Sequence, residues 1–469
     1  MLMRRRTLLR SGLAGALLAA GGVGRATIAE RPVLLRGARL LAMAGVHRND
    51  AGVADLLVRG GRIERIGRSL SAPDAEVIEA DGHILMPGFV DTHNHLWLSQ
   101  MRGLFGRSEA TRYFPLVERL GAAFRPEDMR VGTLFGAAGA LAAGVTTTLA
   151  YCDNIRSPAH ADAAIAGLRQ AGIRARFLYT SHDGMAADEP VALDHLRNLH
   201  DGRDDWSAGG LIDLGLGLRT PRKDAPPAEF ARAAHELSVA RALGLPISTH
   251  ISGENGPAQL DALIARGWLG PDMLLVHATG AGPERLARVR ERGAGVSLTP
   301  ITEHRVGYGL TRVNDYLQPL GRVGLGLDGA LGGAPDMFPV MRTAHNVQAA
   351  GLGELSILPR RLLELATIEG ARAIGLADQI GSLEPGKRAD LILVDTRSLN
   401  MGPADEDSSA LLVYSAGSRD VALVMVDGRI VKRGGRMIRL SEHATAQAAA
   451  HSLARIRRRA EPAPPSAPY

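Results

Sequence analysis

The chain has 469 residues, of which 45% are hydrophobic and 22% are charged. This composition is typical of a globular protein with a large buried core, and it excludes collagen-like and disordered classes. The net charge of +6 comes from the two ends, because residues 1–26 contribute +5 and residues 450–469 contribute +3. The remainder is close to neutral, which argues against a nucleic-acid partner.

The first residues have the pattern of an export signal. Residues 5–10 (RRTLLR) resemble the twin-arginine export motif, and an apolar stretch over 12–23 follows and ends in small residues. That stretch is too short to span a bilayer and is typical of a cleaved signal peptide. We therefore expect residues 1–29 to be a twin-arginine signal peptide. The mature protein is expected to be periplasmic or secreted, without a stable membrane anchor.

Short segments with alternating apolar residues occur near both ends of the chain. In the first part, 53–58 and 62–66 flank a Gly60-Gly61 turn; in the last part, 421–426 and 429–431 flank an Asp427-Gly428 turn. Both patterns are typical of β-hairpins. We expect residues 30–85 and 377–440 to form one composite β-sandwich. Residues 441–469 are expected to be a basic tail, helical or disordered.

The middle of the chain alternates short apolar runs with amphipathic stretches. The eight candidate strands are 88–91, 145–151, 173–180, 213–218, 246–249, 273–276, 294–298 and 323–327. Eight strand–helix units over residues 86–376 predict an α/β fold with a (β/α)8 TIM barrel, although a doubly wound open sheet is the alternative. No G-x-G-x-x-G motif follows the first strand, so the sequence does not support dinucleotide binding.

Histidine and aspartate residues follow several of these strands. His93 and His95 are two residues apart at the end of the first strand, so both side chains point to the same side. His250, His277 and Asp328 end the fifth, sixth and eighth strands. Because the strands of a barrel end at one mouth, we expect these side chains to converge on a divalent metal. Imidazole and carboxylate groups suit Zn²⁺ and Fe²⁺. The chain has one cysteine, Cys152, which excludes a site built from several cysteines.

The distribution of lysine favours one metal ion. Binuclear barrel hydrolases commonly bridge two metals with a carboxylated lysine after the fourth strand. Here that strand ends at Arg219, and Lys223 lies several residues into the next loop. We therefore expect a mononuclear site.

Four segments together resemble the amidohydrolase superfamily, in particular its cytosine deaminase and triazine hydrolase branch. The matching segments are 87–95 (PGFVDTHNH), 328–342 with its DGA, DMF and MR elements, 366–376 (ATIEGARAIGL) and 380–390 (IGSLEPGKRAD). The resemblance extends over about residues 33–440. It implies that His93, His95, His250 and Asp328 bind one Zn²⁺ or Fe²⁺, which lowers the pKa of a bound water. It also implies that Asp328 is the general base and that His277 stabilises the tetrahedral intermediate.

The sequence departs from this branch after the fifth strand. Its deaminases have a glutamate three residues after the strand-five histidine, where this chain has Gly253. Glu254 follows by one residue, and it either reaches the site or remains a solvent-facing loop carboxylate. Glu303, after the seventh strand, is a second candidate acid.

The substrate is predicted to be a small molecule. Candidate substrate-binding residues after the strands are Trp97, Gln100, Arg102, Arg219 and His304, with Asp153 and His182 as further loop residues. Each has loop packing as its alternative role.

The predicted function is metal-dependent hydrolysis of a C–N bond in a small heterocyclic compound, by deamination or amide-like hydrolysis. The alternatives are a cyclic amide or lactone hydrolase that releases no ammonia, and a catalytically silent periplasmic binding protein on the same barrel. By resemblance, a homo-oligomer is expected.

Overall fold

The computed structural model describes residues 31–44, 52–403 and 408–461. The predicted signal peptide, residues 1–29, lies outside the described residues. Within the described ranges, no helix combines the length and apolarity needed to cross a membrane.

The N-terminal part contributes five strands to a nine-stranded mixed sheet. These strands are β1 (Val33–Leu40), β2 (Val53–Arg59), β3 (Arg62–Gly67), β4 (Glu76–Glu79) and β5 (His83–Pro87). The β2–β3 hairpin turns at Gly60 and Gly61, both with positive φ, as the glycine pair predicts. β5 extends to Pro87, two residues past the expected domain boundary at residue 85.

Eight parallel strands then form the barrel sheet, in the order of the chain. They are β6 (Phe89–Asn94), β7 (Val145–Cys152), β8 (Arg174–Tyr179), β9 (Ile212–Leu218), β10 (Ile247–Ile251), β11 (Met273–His277), β12 (Gly295–Leu298) and β13 (Val323–Leu325). Each overlaps one of the eight predicted runs, and the prediction of a TIM-like barrel is confirmed.

Helices cover the outside of the barrel and close its lower end, which is the end at which the strands begin. In chain order they are α1 (Tyr113–Gly121), α2 (Pro126–Ala142), α3 (Pro158–Ala171), α4 (Leu193–Asp201), α5 (Arg203–Trp206), α6 (Pro227–Ala242), α7 (Gly256–Ala265), α8 (Gly282–Glu291), α9 (Pro300–Arg305), α10 (Val313–Leu317), α11 (Met337–Leu352), α12 (Pro359–Leu365) and α13 (Ile368–Ala373). Ala371 of α13 and the following Ile374 belong to one buried apolar cluster with Val90, Leu149 and Leu178 of the barrel strands. The lower barrel is therefore a packed apolar core, and the chemistry is left to the opposite end.

The chain returns to the small sheet after the barrel. The returning strands are β14 (Leu391–Asp395), β15 (Val421–Val426), β16 (Arg429–Arg433) and β17 (Arg436–Met437), and α14 (Ser408–Ser415) lies between β14 and β15. β14 pairs with β5 in antiparallel register, Leu393 opposite Leu85, which joins the two chain ends in one sheet. The prediction that both ends build a single β unit is confirmed.

Alternate residues of β14 belong to two different cores. Leu391 and Leu393 pack within the small sheet's own cluster, whereas Ile392 and Val394 belong to the large cluster that includes the barrel. This follows from the two-residue period of a strand, which directs successive side chains to opposite faces. The run LILV is therefore apolar throughout because both faces of the strand are buried.

The last helix, α15 (Glu442–Ala460), packs against α2. Ser441 caps its first turn by accepting a hydrogen bond from Ala444 N at 3.2 Å. Ser452 donates to the buried carboxylate of Asp128 at 2.6 Å, and Arg459 also binds Asp128. Part of the basic tail is thus a packed helix in the described residues.

A buried ion pair joins the barrel to the small sheet. Arg174, at the start of β8, donates to both oxygens of Asp390, at 2.6 and 3.0 Å, and to Asp427 at 3.0 Å. The Arg174 and Asp390 side chains are 7% and 1% exposed. Removing one member of such a pair leaves an uncompensated buried charge, which is more costly than losing a surface pair.

We expect Asp390→Ala to lower the free energy of unfolding by about 3–5 kcal/mol, because Arg174 loses its buried bidentate partner. Chemical denaturation followed by circular dichroism measures the change. Asp395→Ala is the matched control, since Asp395 pairs with the exposed Arg397, and it should cost much less. Equal effects of the two substitutions would contradict this interpretation.

Candidate metal centre

Four side chains from three separate parts of the barrel meet at its carboxyl end. His93 lies on β6 and His95 directly follows that strand, His250 lies on β10, and Asp328 lies three residues after β13. One ligand atom from each of these residues lies within 4.8 Å of the other three. We call these four residues the metal cluster.

The distances within the metal cluster suit one small cation. His93 Nε2 lies 3.0 Å from His95 Nε2 and 3.1 Å from His250 Nε2. Asp328 Oδ1 lies 3.1 Å from His93 Nε2 and 3.2 Å from His95 Nε2. Tetrahedral Zn²⁺ with bonds of about 2.0–2.1 Å separates its ligands by about 3.3 Å. The donor atoms therefore fit a mononuclear site with three imidazoles and one carboxylate.

The electrostatics of the metal cluster also favour a cation. Burial lowers the pKa of His93 to about 4 and holds that of His250 well below its usual range. Both imidazoles are therefore neutral at pH 7 and offer nitrogen lone pairs. Burial opposes ionisation of Asp328, but hydrogen bonds from His93 and His95 outweigh it and hold its pKa well below the usual range. Burial disfavours the charged form of His95, but the carboxylates of Asp153 and Asp328 outweigh it and raise its pKa to about 10. A carboxylate beside imidazoles, two of them neutral, is a donor set suited to divalent metals.

Asp153 orients one of these imidazoles. This residue directly follows β7, and its Oδ1 lies 2.8 Å from His95 Nδ1. Trp97 Nε1 donates to the same oxygen at 2.7 Å, and the Trp97 ring packs edge-to-face against Phe124. A carboxylate at Nδ1 fixes the tautomer that leaves Nε2 free for a metal. Trp97 thus holds Asp153, the carboxylate that orients His95.

Asp91 joins the first strand of the barrel to the last. Its Oδ1 accepts from Leu327 N at 2.9 Å, and its Oδ2 accepts from Asn94 Nδ2 at 2.7 Å and from Thr148 Oγ1 at 2.8 Å. Burial raises the pKa of Asp91 to about 7, and these donors oppose the shift by favouring the carboxylate. The hydrogen bond from Leu327 N therefore fixes the backbone directly before Asp328.

Asp328 itself has an unusual backbone. Its φ is +58°, a left-handed conformation that costs a non-glycine residue energy and is frequent at functional sites. Its amide donates to His93 O at 2.9 Å. At the nearby Gly326, a Cβ would lie 3.0 Å from both His93 N and His93 O, so a larger residue would press on the backbone of a metal-cluster residue.

His277 lies beside the metal cluster and is held from behind. Its Nδ1 lies 3.1 Å from Glu303 Oε1 and 3.0 Å from Thr299 Oγ1, and its Nε2 lies 3.9 Å from Asp328 Oδ2. Glu303 is fully buried and also accepts from Thr299 N at 2.8 Å. His277 has a φ of +70°. Glu303 therefore acts through His277 in this arrangement, by fixing the direction of its ring.

Comparison with known proteins agrees with this geometry. The amidohydrolase family model matches residues 84–431. A 5-methylthioadenosine/S-adenosylhomocysteine deaminase of Desulforudis audaxviator is 30% identical over 444 residues, which cover 90% of this chain and 99% of the relative. The chain belongs to the amidohydrolase family. The predictions of this superfamily and of a hydrolase acting on C–N bonds are confirmed.

Other relatives and solved structures support the assignment. A 5'-deoxyadenosine deaminase of Methanobrevibacter smithii is 27% identical, over 82% of this chain and 90% of its own. A zinc-bound adenosine deaminase from Xanthomonas campestris is 24% identical with a TM-score of 0.78, over 91% of this chain and 98% of that one. An atrazine chlorohydrolase of Arthrobacter aurescens with zinc and atraton has a TM-score of 0.79 at 21% identity, over 90% and 100% of the chains. These two structures show the amidohydrolase fold.

The other predicted site residues of this amidohydrolase have contacts outside the metal cluster. Gln100 donates to Asp128 O at 3.2 Å, and the Arg102 guanidinium lies over the Phe135 ring, so both side chains contact α2. Glu254 is exposed in a 3₁₀ turn. The substrate roles of Gln100 and Arg102, and the proton-carrier role of Glu254, stay predictions.

Arg219 and His304 organise loops. Arg219 donates to backbone oxygens of the segment after β8: to Met185 at 3.4 Å, Ala186 at 3.1 Å and Glu189 at 2.6 Å. His304 Nε2 accepts from Thr311 N at 3.2 Å. His182 Nδ1 lies 2.7 Å from Asp183 O. Substrate contact by Arg219 and His304 also stays a prediction.

Two aromatic residues of the site were not predicted from the sequence. Tyr151 lies on β7, and its ring packs edge-to-face against His250, with centroids 4.5 Å apart. The Tyr308 ring is 5.5 Å from that of His277. Tyr151 has the parity of an inward-facing residue on its strand, which is a usable signal, whereas Tyr308 lies in a loop whose path the sequence does not determine.

We expect Asp153→Asn to weaken metal affinity about 10- to 100-fold, because the carboxylate that orients the His95 ring is replaced by a neutral and weaker acceptor. Titration with a competing chelator, followed by elemental analysis, measures the affinity. Asp183→Asn is the control. Asp183 lies near enough to Asp153 for the two carboxylates to interact, but its side chain is exposed and does not orient His95. Unchanged affinity in Asp153→Asn would contradict the orienting role.

Proposed function

We propose that this amidohydrolase deaminates a 6-aminopurine nucleoside by means of one divalent metal, Zn²⁺ or Fe²⁺. The observation behind the proposal is the metal cluster, with three imidazoles and one carboxylate at the barrel mouth. The substrate class is supported by relatives named as deaminases of adenosine derivatives over most of the chain. When bound, the metal would act as a Lewis acid that lowers the pKa of a water molecule.

The two oxygens of Asp328 suit two different tasks. Oδ1 faces His93 and His95, whereas Oδ2 lies 3.4 Å from Thr299 Oγ1 and 3.9 Å from His277 Nε2. In the proposed reaction, Asp328 accepts a proton from the attacking water through Oδ2 while Oδ1 remains at the metal cluster. A general base must lie within hydrogen-bond reach of the proton that it accepts, and this arrangement supplies one.

His277 is suited to stabilise the charge that develops in the tetrahedral intermediate. Glu303 accepts a hydrogen bond from Nδ1 and so directs Nε2 towards the metal cluster. A donor fixed before the reaction needs no reorganisation in the transition state, which is the main source of electrostatic catalysis.

A second candidate is hydrolysis of a cyclic amide, lactone or halide without release of ammonia. Position 253 favours it, because Gly253 offers no carboxyl group and the neighbouring Glu254 is exposed. An acid next to the leaving group matters most when that group is an amine.

Ammonia release and metal content distinguish these candidates. We expect about one Zn²⁺ or Fe²⁺ per chain by elemental analysis, and ammonia from adenosine, 5'-deoxyadenosine or 5'-methylthioadenosine. His250→Ala should lose both metal and activity, because it removes one of the four ligands. His235→Ala, on the exposed face of α6, should retain both.

One metal per chain without ammonia from any of the three nucleosides would support the second candidate. Two metals per chain would contradict the mononuclear site. Full activity of His250→Ala would contradict the metal-dependent mechanism itself.

We also propose that the protein is exported through the twin-arginine pathway, which the RRTLLR sequence at residues 5–10 supports. With both Arg5 and Arg6 changed to Lys, the full chain should remain in the cytoplasm of a bacterial host, whereas the wild type reaches the periplasm. Cell fractionation and immunoblotting measure the distribution. Equal distribution of the two proteins would contradict export by this route.

A further inference from the structure

Tyr308 lies at the edge of the metal site. It follows α9, and its amide donates to Glu303 O at 2.9 Å. Its ring meets that of His277 edge-on, with centroids 5.5 Å apart. A side-chain hydrogen bond joins Tyr308 to Ser252, two residues after the metal-cluster residue His250. The phenol is therefore fixed between two strand ends of the site.

Gly253 leaves the space that Tyr308 occupies. Its φ is +60°, and a Cβ built on it would lie 3.2 Å from Tyr308 Cε1. A larger residue at 253 would therefore be strained in its backbone and would press on the phenol ring. The glycine and the tyrosine form one packed unit next to His250.

The carboxyl groups near the site are engaged or exposed. Asp153 binds His95 and Trp97, and Glu303 binds His277 and Thr299. Glu254 is exposed. The Tyr151 phenol has a side-chain hydrogen bond with Thr180. The Tyr308 hydroxyl also has a side-chain partner, Ser252. Among the described tyrosines, however, Tyr308 is the one whose ring packs against that of His277, so its hydroxyl group is well placed to meet a substrate there.

We propose that Tyr308 donates a hydrogen bond to the leaving nitrogen of the substrate. This inference rests on the proposed function, because it assigns the group that assists departure of the amine. Burial raises the pKa of Tyr308, so its hydroxyl keeps its proton at neutral pH. It is therefore a donor throughout the reaction.

The proposed reaction consumes one water molecule and releases one ammonia. Water forms the new C–O bond, and Asp328 accepts one of its protons. The C–N bond then breaks with its electron pair remaining on nitrogen, which takes up the proton from Asp328 and leaves as ammonia. Tyr308 keeps its own proton and stabilises the leaving nitrogen through the hydrogen bond while charge builds up there.

The experiment compares two leaving groups in wild type and Tyr308→Phe. Adenosine loses an amine, which must be protonated, and 6-chloropurine riboside loses chloride, which need not be. We expect kcat for adenosine to fall about 100-fold in Tyr308→Phe, the usual effect of removing one preorganised donor. We expect kcat for 6-chloropurine riboside, metal content and Tm to change little.

Two further variants serve as comparisons. Tyr316→Phe removes a buried hydroxyl that lies 3.5 Å from Ala278 O, and it should leave both reactions unchanged. Tyr113→Phe removes another phenol near Asp153 and Asp328. A loss specific to adenosine in Tyr113→Phe rather than in Tyr308→Phe would overturn the proposal.

Other outcomes also contradict the assignment. Equal losses for both substrates in Tyr308→Phe, or loss of metal, would show a structural role. No loss for either substrate would show that the hydroxyl takes no part. If the wild type converts neither nucleoside, the proposed function itself fails, which is distinct from a failure of Tyr308 in an active enzyme.

Discussion

The site depends on how the barrel is closed between its last strand and its first. The parallel ladder runs from β6 to β13, and the remaining join is made by Asp91 accepting from Leu327 N and by Asp328 N donating to His93 O. These contacts hold Asp328 beside His93 and His95, which approach from the other side of the join. Barrel closure therefore brings together three of the four residues of the metal cluster, and His250 joins them from β10. The cost of burying the Asp91 carboxylate is partly offset because several donors converge on it.

Much of this arrangement follows from sequence periodicity. The eight apolar runs predict the strands, and the alternation of His93 and His95 predicts that both face one side. His250 and Asp328 could be placed because parallel strands of a barrel end at one mouth. The Gly60-Gly61 and Asp427-Gly428 turns likewise predict the two hairpins of the small sheet. These features depend on residues close in sequence or on general rules of topology.

The contacts around the metal ligands could not be predicted in the same way. Asp153 and Trp97 are 56 residues apart, and only the folded chain shows that Asp153 orients His95 and that Trp97 donates to Asp153. Gly253 and Tyr308 are a similar case, since their packing depends on the path of two loops. Gln100 and Arg102 follow the first strand, yet their contacts are with α2. Being close to His95 in the sequence therefore does not show whether a loop side chain faces the metal cluster.

The pairing of β5 with β14 also affects how the protein is made. The strands of this pair are separated by the entire barrel, so β5 leaves the ribosome long before its partner exists. At about 5–20 residues per second, synthesis of the intervening chain takes roughly 15–60 seconds. During that time the apolar edge of β5 is a target for association with other chains or for chaperones. Completion of the sheet late in synthesis therefore sets the earliest time at which the protein can become fully folded.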